Sequence, residues 1–472
     1  MVIGLEIHAQ LNTKSKLFSR SATLFGAEAN MQVSFFDAAM PGTLPILNRE
    51  CVLLAVKAGI ALNGTIRKES RFDRKNYFYP DSPQGYQISQ FFLPIVEQGL
   101  LSITSKTGQD LPIRIERIHI EQDAGKSMHE QDPHSTYIDL NRAGIPLIEI
   151  VTAPDFRTYE DVEIFLKKLR NILRVCNICD GDLEKGSMRC DANISIRKKE
   201  DSFYGTRVEV KNLNSFKKIG KAIRSEFRRQ VKILESGGSV FQETRLYDTD
   251  KDVTRMMRSK EDAQDYRYFP DPDLLPLIIS ETFIDDIKSS MPELPEEKKL
   301  RYSSKMKISS YYSEVISVDK NVSDFFDKVA LAVSPQLAAS WLVDELFGHL
   351  NKANVSFSKS PVDPQRFIGL IRLIEKNTIS GKIAKEVLTK MFLSKEDADS
   401  IVKKYGLVQI SDHNTILEIV TSVLKEHSVQ VEQYKGGKEK LLGFFVGKIM
   451  QKSKGKFNPK LLNDVLKEKL SN

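Results

Sequence analysis

The stretch Val2-Ile3-Gly4-Leu5-Glu6-Ile7-His8-Ala9-Gln10-Leu11 decides how the first half of this chain folds. Ile3, Leu5, Ile7, Ala9 and Leu11 are apolar, while Glu6, His8 and Gln10 alternate with them. A period of two is that of a strand with one face in a core and the other displaying polar groups. A carboxylate and an imidazole two residues apart point the same way, which suits holding a hard cation or positioning a proton. The plainer reading is an edge strand whose polar face meets water, so stretches elsewhere must decide between the two.

Two later segments carry the same signature. Residues 113–123 alternate as a strand and place His119, Glu121 and Asp123 on one face. In the apolar run Ile145-Pro146-Leu147-Ile148-Glu149-Ile150-Val151 a glutamate sits where burial is expected. An unpaired buried carboxylate is costly, so Glu149 must ligate a metal, pair with a cation or stay protonated. Cys190 to Arg197 alternates again, with Asp191, Asn193, Ser195 and Arg197 on the polar side. Arg207, Glu209 and Lys211 form the polar side of a following strand, and the two read as an antiparallel hairpin.

Around these strands the spacing predicts helices over 49–62, capped by Asn48, over 158–174, opened by Thr158-Tyr159-Glu160-Asp161, and over 215–234. Residues 16–47 read as loop. The block Arg71 to Pro80 sets three cations among aromatic rings, a composition suited to a polyanion or a nucleotide, and equally to a hairpin packed by its own aromatics. Leu274 to Ile279 reads as a last apolar strand. Pro292-Glu293-Leu294-Pro295 marks the clearest boundary, beyond which the pattern is helical, with a second division near 405–412.

Composition bounds the class. With 472 residues the chain exceeds one core and suggests roughly three domains. No apolar run reaches the ~20 residues that span a bilayer, and no leader precedes the first strand, so a cytoplasmic protein away from membranes is expected. Four cysteines, Cys51, Cys176, Cys179 and Cys190, are too few for a disulfide framework, and the lone Cys176–Cys179 pair lacks an evident fourth zinc ligand. Net charge is +7, and from Lys435 onward ten lysines face three acids, a surplus equal to that of the whole chain. Lys438, Lys440, Lys448, Lys452, Lys454 and Lys456 surround Gly443-Phe444-Phe445-Val446-Gly447, which favours nucleic-acid phosphates, although a solvated helix face is the commoner cause of such a run. Neither a phosphate-binding GxxxxGK[ST] loop nor a nucleophile elbow nor an amidase signature is present.

Val2 to His8, Phe72 to Pro80, Glu121 to Lys126, Asp139 to Glu149, Arg189 to Ser195, Lys211 to Phe216, Asp265 to Pro270 and Gly443 to Gly447 with Gly455 together resemble the B subunit of the tRNA-dependent amidotransferases, the GatB family, over essentially the whole chain. That resemblance implies an α+β protein: an antiparallel-sheet catalytic cradle over 1–291, an all-helical domain over 292–404 and a small helical YqeY-like tail over 405–472. It implies ATP-dependent activation of the side-chain carboxylate of Glu-tRNA(Gln) or Asp-tRNA(Asn), then amidation by ammonia from an A subunit, with a C subunit completing a heterotrimer. His8, Glu121 and Glu149 match the family's magnesium ligands. Glu6 and Asp191 are expected behind them or at a second metal, and Arg189, Lys211 and Lys75 are expected at phosphate or acyl phosphate by charge and position. The six tail lysines are expected on tRNA. Many members carry four zinc cysteines where this chain has Ser19, Ser21, Ser34 and Asp37, so no zinc is expected and packing should hold that loop. The rivals are a non-catalytic tRNA-binding subunit and a magnesium-dependent nuclease.

Overall fold

In a computed structural model, the described residues are all except 130, 131, 133, 214, 260–264, 408–411, 439, 454–456, 458 and 472. The chain divides into two compact units at Leu294/Pro295, inside the Pro-rich segment that the sequence marks. The first unit is organised on one sheet of nine strands: β1 Val2–Gln10, β2 Thr65–Ile66, β3 Val96–Thr104, β4 Asp110–Gln122, β5 Pro146–Thr152, β6 Met188–Ser195, β7 Val208–Leu213, β8 Glu243–Asp248 and β9 Val253–Ser259. Their order is β9-β8-β7-β6-β1-β5-β4-β3-β2, so the strand written first in the sequence lies at the centre. Every neighbouring pair is antiparallel except β7 and β8, which run parallel because a full helix joins them. The α+β class expected from the sequence is the one observed.

Three helices cover one face. α1 (Arg49–Ala61) starts at Asn48, whose side chain accepts from the Glu50 N–H. In α2 (Tyr159–Val175) Thr158 accepts from the Asp161 N–H, and in α3 (Phe216–Glu235) Ser215 accepts from the Lys218 N–H. Each cap satisfies an amide that the first turn leaves without a helical partner. The core beneath them takes Ile3, Leu5, Ile7 and Ala9 from β1, Ile118 and Ile120 from β4, Ile148 and Ile150 from β5, and Cys190, Ala192 and Ile194 from β6. Alternation then sends Glu6, His8, His119, Glu121, Glu149 and Asp191 to the opposite face. The four cysteines are buried thiols.

The last strand is shorter than its apolar run. Only Leu277–Ile278 pairs, with Glu69–Ser70, because Pro276 has no N–H to give a ladder.

Loop 16–47 is held differently from the packing expected of it. Ser19, Ser21, Ser34 and Asp37 do converge, but on a buried ion pair: Lys16 Nζ lies 3.2 Å from Asp37 Oδ2, with both side chains out of solvent. Asp37 Oδ2 also accepts from the Ser34 N–H at 2.8 Å and from Ser19 Oγ at 3.1 Å. Gly144 closes the site from below. Its φ is +82°, and an added Cβ would stand 2.8 Å from Asp37 Oδ1, so glycine is required there on two counts.

The second unit is helical throughout its described residues and contains two separate apolar cores. One gathers around Phe326, Leu342, Phe367 and Leu388, the other around Val420, Phe445, Ile449 and Leu466.

Candidate functional site

Register builds the site. Across the centre of the sheet His8 stands opposite Glu149 on one side and Arg189 on the other, Glu6 stands opposite Asp191, and Glu149 opposite His119. Directly opposed residues in antiparallel strands project from the same face, with Cβ atoms ~5 Å apart. Four adjacent strands, β6, β1, β5 and β4, therefore contribute to one polar band.

At its middle, His8 Nε2 lies 3.3 Å from Glu121 Oε1 and 3.3 Å from Glu149 Oε2. Among the described residues, His8, Glu121 and Glu149 form a group whose donor atoms all fall within 4.8 Å of one another. One imidazole nitrogen and two carboxylate oxygens fit a hard divalent cation, with further coordination positions left for water or substrate oxygens. The carboxylates draw protons onto the neighbouring imidazoles. Burial alone would lower the His8 imidazole, yet hydrogen bonds and the charges of Glu121 and Glu149 outweigh it and carry it up to about 10. His119 is carried up to about 9 by Glu149 and Glu121 against its own burial. Glu149, pushed up by burial, is held well below its ordinary range by His119 and His8. Two protons thus occupy imidazoles beside a carboxylate pair, the electrostatic pattern of a place that takes a cation.

The flanking residues continue the band. Burial and the Glu149 charge raise the Glu6 carboxyl, which accepts from Asn193 Nδ2 at 2.9 Å. Lys211 Nζ sits between Asp191 Oδ2 at 2.6 Å and Glu209 Oε1 at 2.8 Å. Those two carboxylates overcome burial and raise the ammonium. Arg189 and Arg142 both hold Asp123, at 2.8 and 2.7 Å, and lower its carboxyl against burial. Beside Arg189 opens a cleft whose wall includes Arg142, Lys185 and Asp191. Lys75 Nζ lies 4.9 Å over the Tyr266 ring and 5.9 Å over that of Tyr77. Tyr268, raised by burial and by the Glu121 and Glu149 charges, stacks on Phe91 with ring centroids 4.0 Å apart.

The sequence singled out His8, Glu121 and Glu149, and the sheet brings them together. His119 was visible as a neighbour of Glu121 on one face, yet nothing in a single strand says that two imidazoles meet the same carboxylate pair. Asp123, Asn193 and Glu209 were read onto polar strand faces but not as candidate site residues, and Arg142, in the loop before β5, gave no signal of its own.

In the tail, Lys438, Lys440 and Lys448 are exposed. Lys452 pairs with Glu426, and Lys454 and Lys456 lie outside the described residues. No helix among the described residues is long and apolar enough to cross a membrane.

A family profile described as "GatB/GatE catalytic domain" matches residues 1–285, and a second described as "GatB domain" matches 324–470, taking in most of both helical cores. The B subunit of the aspartyl/glutamyl-tRNA(Asn/Gln) amidotransferase of Rickettsia bellii is 55% identical over 469 residues, covering 99% of this chain and 97% of that one. The proteins of the same name from Rickettsia rickettsii (strain Sheila Smith) and Rickettsia typhi are 54% identical over 470 residues and 55% identical over 469, again over 97% of their lengths. With both parts matched and full-length relatives at more than half identity, this chain belongs to the GatB/GatE family.

Proposed function

We propose that this chain is the activating subunit of a tRNA-dependent amidotransferase, a carbon–nitrogen ligase that uses ATP. The side-chain carboxylate of Glu-tRNA(Gln), or of Asp-tRNA(Asn), attacks the γ-phosphorus of ATP and ADP leaves, giving an acyl phosphate. Ammonia released from glutamine by an A subunit then attacks the acyl carbon, inorganic phosphate leaves and the amide forms. The chain itself has no sequence signature for making ammonia, which fits a heterotrimer with A and C subunits.

The observation that carries this reading is the His8–Glu121–Glu149 set on an open, charged sheet face in a chain of this family. Bound there, Mg²⁺ would neutralise charge where phosphate and carboxylate oxygens are brought together. His8, Glu121 and Glu149 supply its ligands, and Glu6 and Asp191, facing each other one pair further along, orient what surrounds them. Arg189, on the wall of the cleft, and Lys211 offer donors to phosphate oxygens; each would exchange part of a carboxylate contact for a phosphate one. Lys75 is kept over its tyrosines at the approach to the band. A non-catalytic tRNA-binding subunit has no use for such a ligand set. The test is ATP consumption by the reconstituted three-subunit complex: it should depend on mischarged tRNA and yield an activated aminoacyl-tRNA when ammonia is withheld. A complex that binds the tRNA and spends no ATP would leave only the docking role.

The tail should grip tRNA through its phosphates rather than its sequence. Lys438→Glu, Lys440→Glu and Lys448→Glu together should weaken tRNA binding similarly for every acceptor. The slope of log affinity against log salt should also fall, by about one for each phosphate that is no longer neutralised. An unchanged slope would place the tRNA away from this face.

A further inference from the structure

His119 is the buried titratable group that the ligand set leaves out. Its Nε2 lies 3.5 Å from Glu121 Oε2 and 3.4 Å from Glu149 Oε2, whereas His8 Nε2 faces the other Glu121 oxygen, Oε1, at 3.3 Å. The two imidazoles therefore divide the Glu121 carboxylate between them, one oxygen each. They also differ in access: the His8 side chain is 21% exposed and that of His119 only 7%. An ion that must accept water or phosphate oxygens has its open positions on the His8 side, with His119 behind the carboxylates. Two ligands of one ion bound at ~2.1 Å stay within ~4.2 Å of each other. The group of donor atoms within 4.8 Å takes in His8 and not His119.

We propose that His119 is a positioning residue for the cation site, resting on the reading that His8, Glu121 and Glu149 hold a divalent ion. Its Nε2–H donates to Glu121 Oε2 and Glu149 Oε2 and thereby turns Glu121 Oε1 toward His8. The other ring nitrogen agrees with this. Nδ1 of His119 is buried and finds no protein partner. Nothing at Nδ1 therefore competes for the orientation of the ring, and Nε2, the nitrogen that faces both carboxylates, carries a hydrogen whatever the charge of the ring. Ser89 Oγ, at the end of the short strand Tyr86–Ser89, lies 3.4 Å from Glu121 Oε2 and reinforces the same oxygen. Ligating carboxylates are commonly held in this way, and losing the holder typically weakens metal affinity about 10–100-fold.

Mn²⁺ binding to the purified complex, followed by electron paramagnetic resonance, tests this without reference to activity. His119→Leu should weaken Mn²⁺ binding by about 10–100-fold, and His119→Gln, which keeps an N–H donor, should restore most of it. Electron spin-echo modulation from the bound ion should show one directly coordinated imidazole nitrogen in wild type and in His119→Gln, and none in His8→Gln. Two coordinated imidazoles in wild type would make His119 a ligand and overturn the proposal, whatever the variants do. Unchanged affinity in a folded His119→Leu protein would overturn it equally. A wild-type complex that binds no Mn²⁺ would remove the cation reading itself and the role of His119 with it, an outcome distinct from either of the others.

Discussion

Glu149→Gln should leave mischarged tRNA binding intact and reduce ATP-dependent activation on the order of a hundredfold or more, equivalent to about 3–4 kcal/mol of lost barrier lowering. The substitution keeps the size and rotamers of the side chain and removes one negative charge and one acceptor. Glu149 Oε2 is the atom that both imidazoles approach, at 3.3 Å from His8 and 3.4 Å from His119. An amide there keeps one oxygen that can serve as a ligand but loses the charge that attracts a cation. Its neutrality would also relieve the repulsion that helps raise Glu6, leaving the band with less attraction for a cation. Single-turnover measurement of the activated intermediate, beside a tRNA-binding titration, separates the two effects. A variant that activates as well as wild type would make Glu149 a structural residue and sink the assignment, while leaving the family untouched.

Asp37→Ala should destabilise the first unit by about 3–5 kcal/mol, the range for removing one partner of a buried ion pair. Lys16 Nζ has Asp37 Oδ2 at 3.2 Å and the Leu140 carbonyl at 3.3 Å, and no exposed surface through which water could replace the lost carboxylate. The Ser34 N–H and Ser19 Oγ lose their acceptor in the same step. The charge left behind costs more than the pair contributed, so Lys16→Met combined with Asp37→Leu should recover a large part of the loss. Denaturant unfolding of the two single variants and the double variant completes the cycle. Losses that simply add would mean that the two charges do not act as a pair.

These residues also show which parts of the molecule a linear reading can reach. Local signals carried the elements: Asn48, Thr158 and Ser215 each cap the helix expected after them, because a cap is decided within three or four residues. Period-two alternation carried the faces of β1, β4 and β6. Glu149 stood out because a carboxylate among apolar neighbours contradicts its surroundings wherever the strand ends up. Lys16 gave no such signal. A lysine in a polar loop reads as solvated, and only the meeting of segments around residues 16, 37 and 144 buries it. Register was equally out of reach: that His119 opposes Glu149, or that β7 and β8 run parallel, depends on pairings far apart in sequence. The share of the site that lies within one strand was therefore legible, and the share made between strands was not.

Placing the first-written strand at the centre of the sheet has a consequence for how the protein is made. Nine residues of β1 leave the ribosome with both edges open. Their partners, Pro146–Thr152 and Met188–Ser195, follow only after more than a hundred residues have been synthesised. At about 5–20 residues per second that is a delay of roughly 7–30 s for the nearer partner alone. During it the apolar side of β1 has only α1 and the outer strands to collapse against, and its hydrogen-bonding edges are templates for any other extended chain. Chaperone shielding of nascent β1 would matter more for this protein than for one whose sheet grows outward in the order it is translated. Premature termination before residue 195 would release a product with an unpaired strand at its heart.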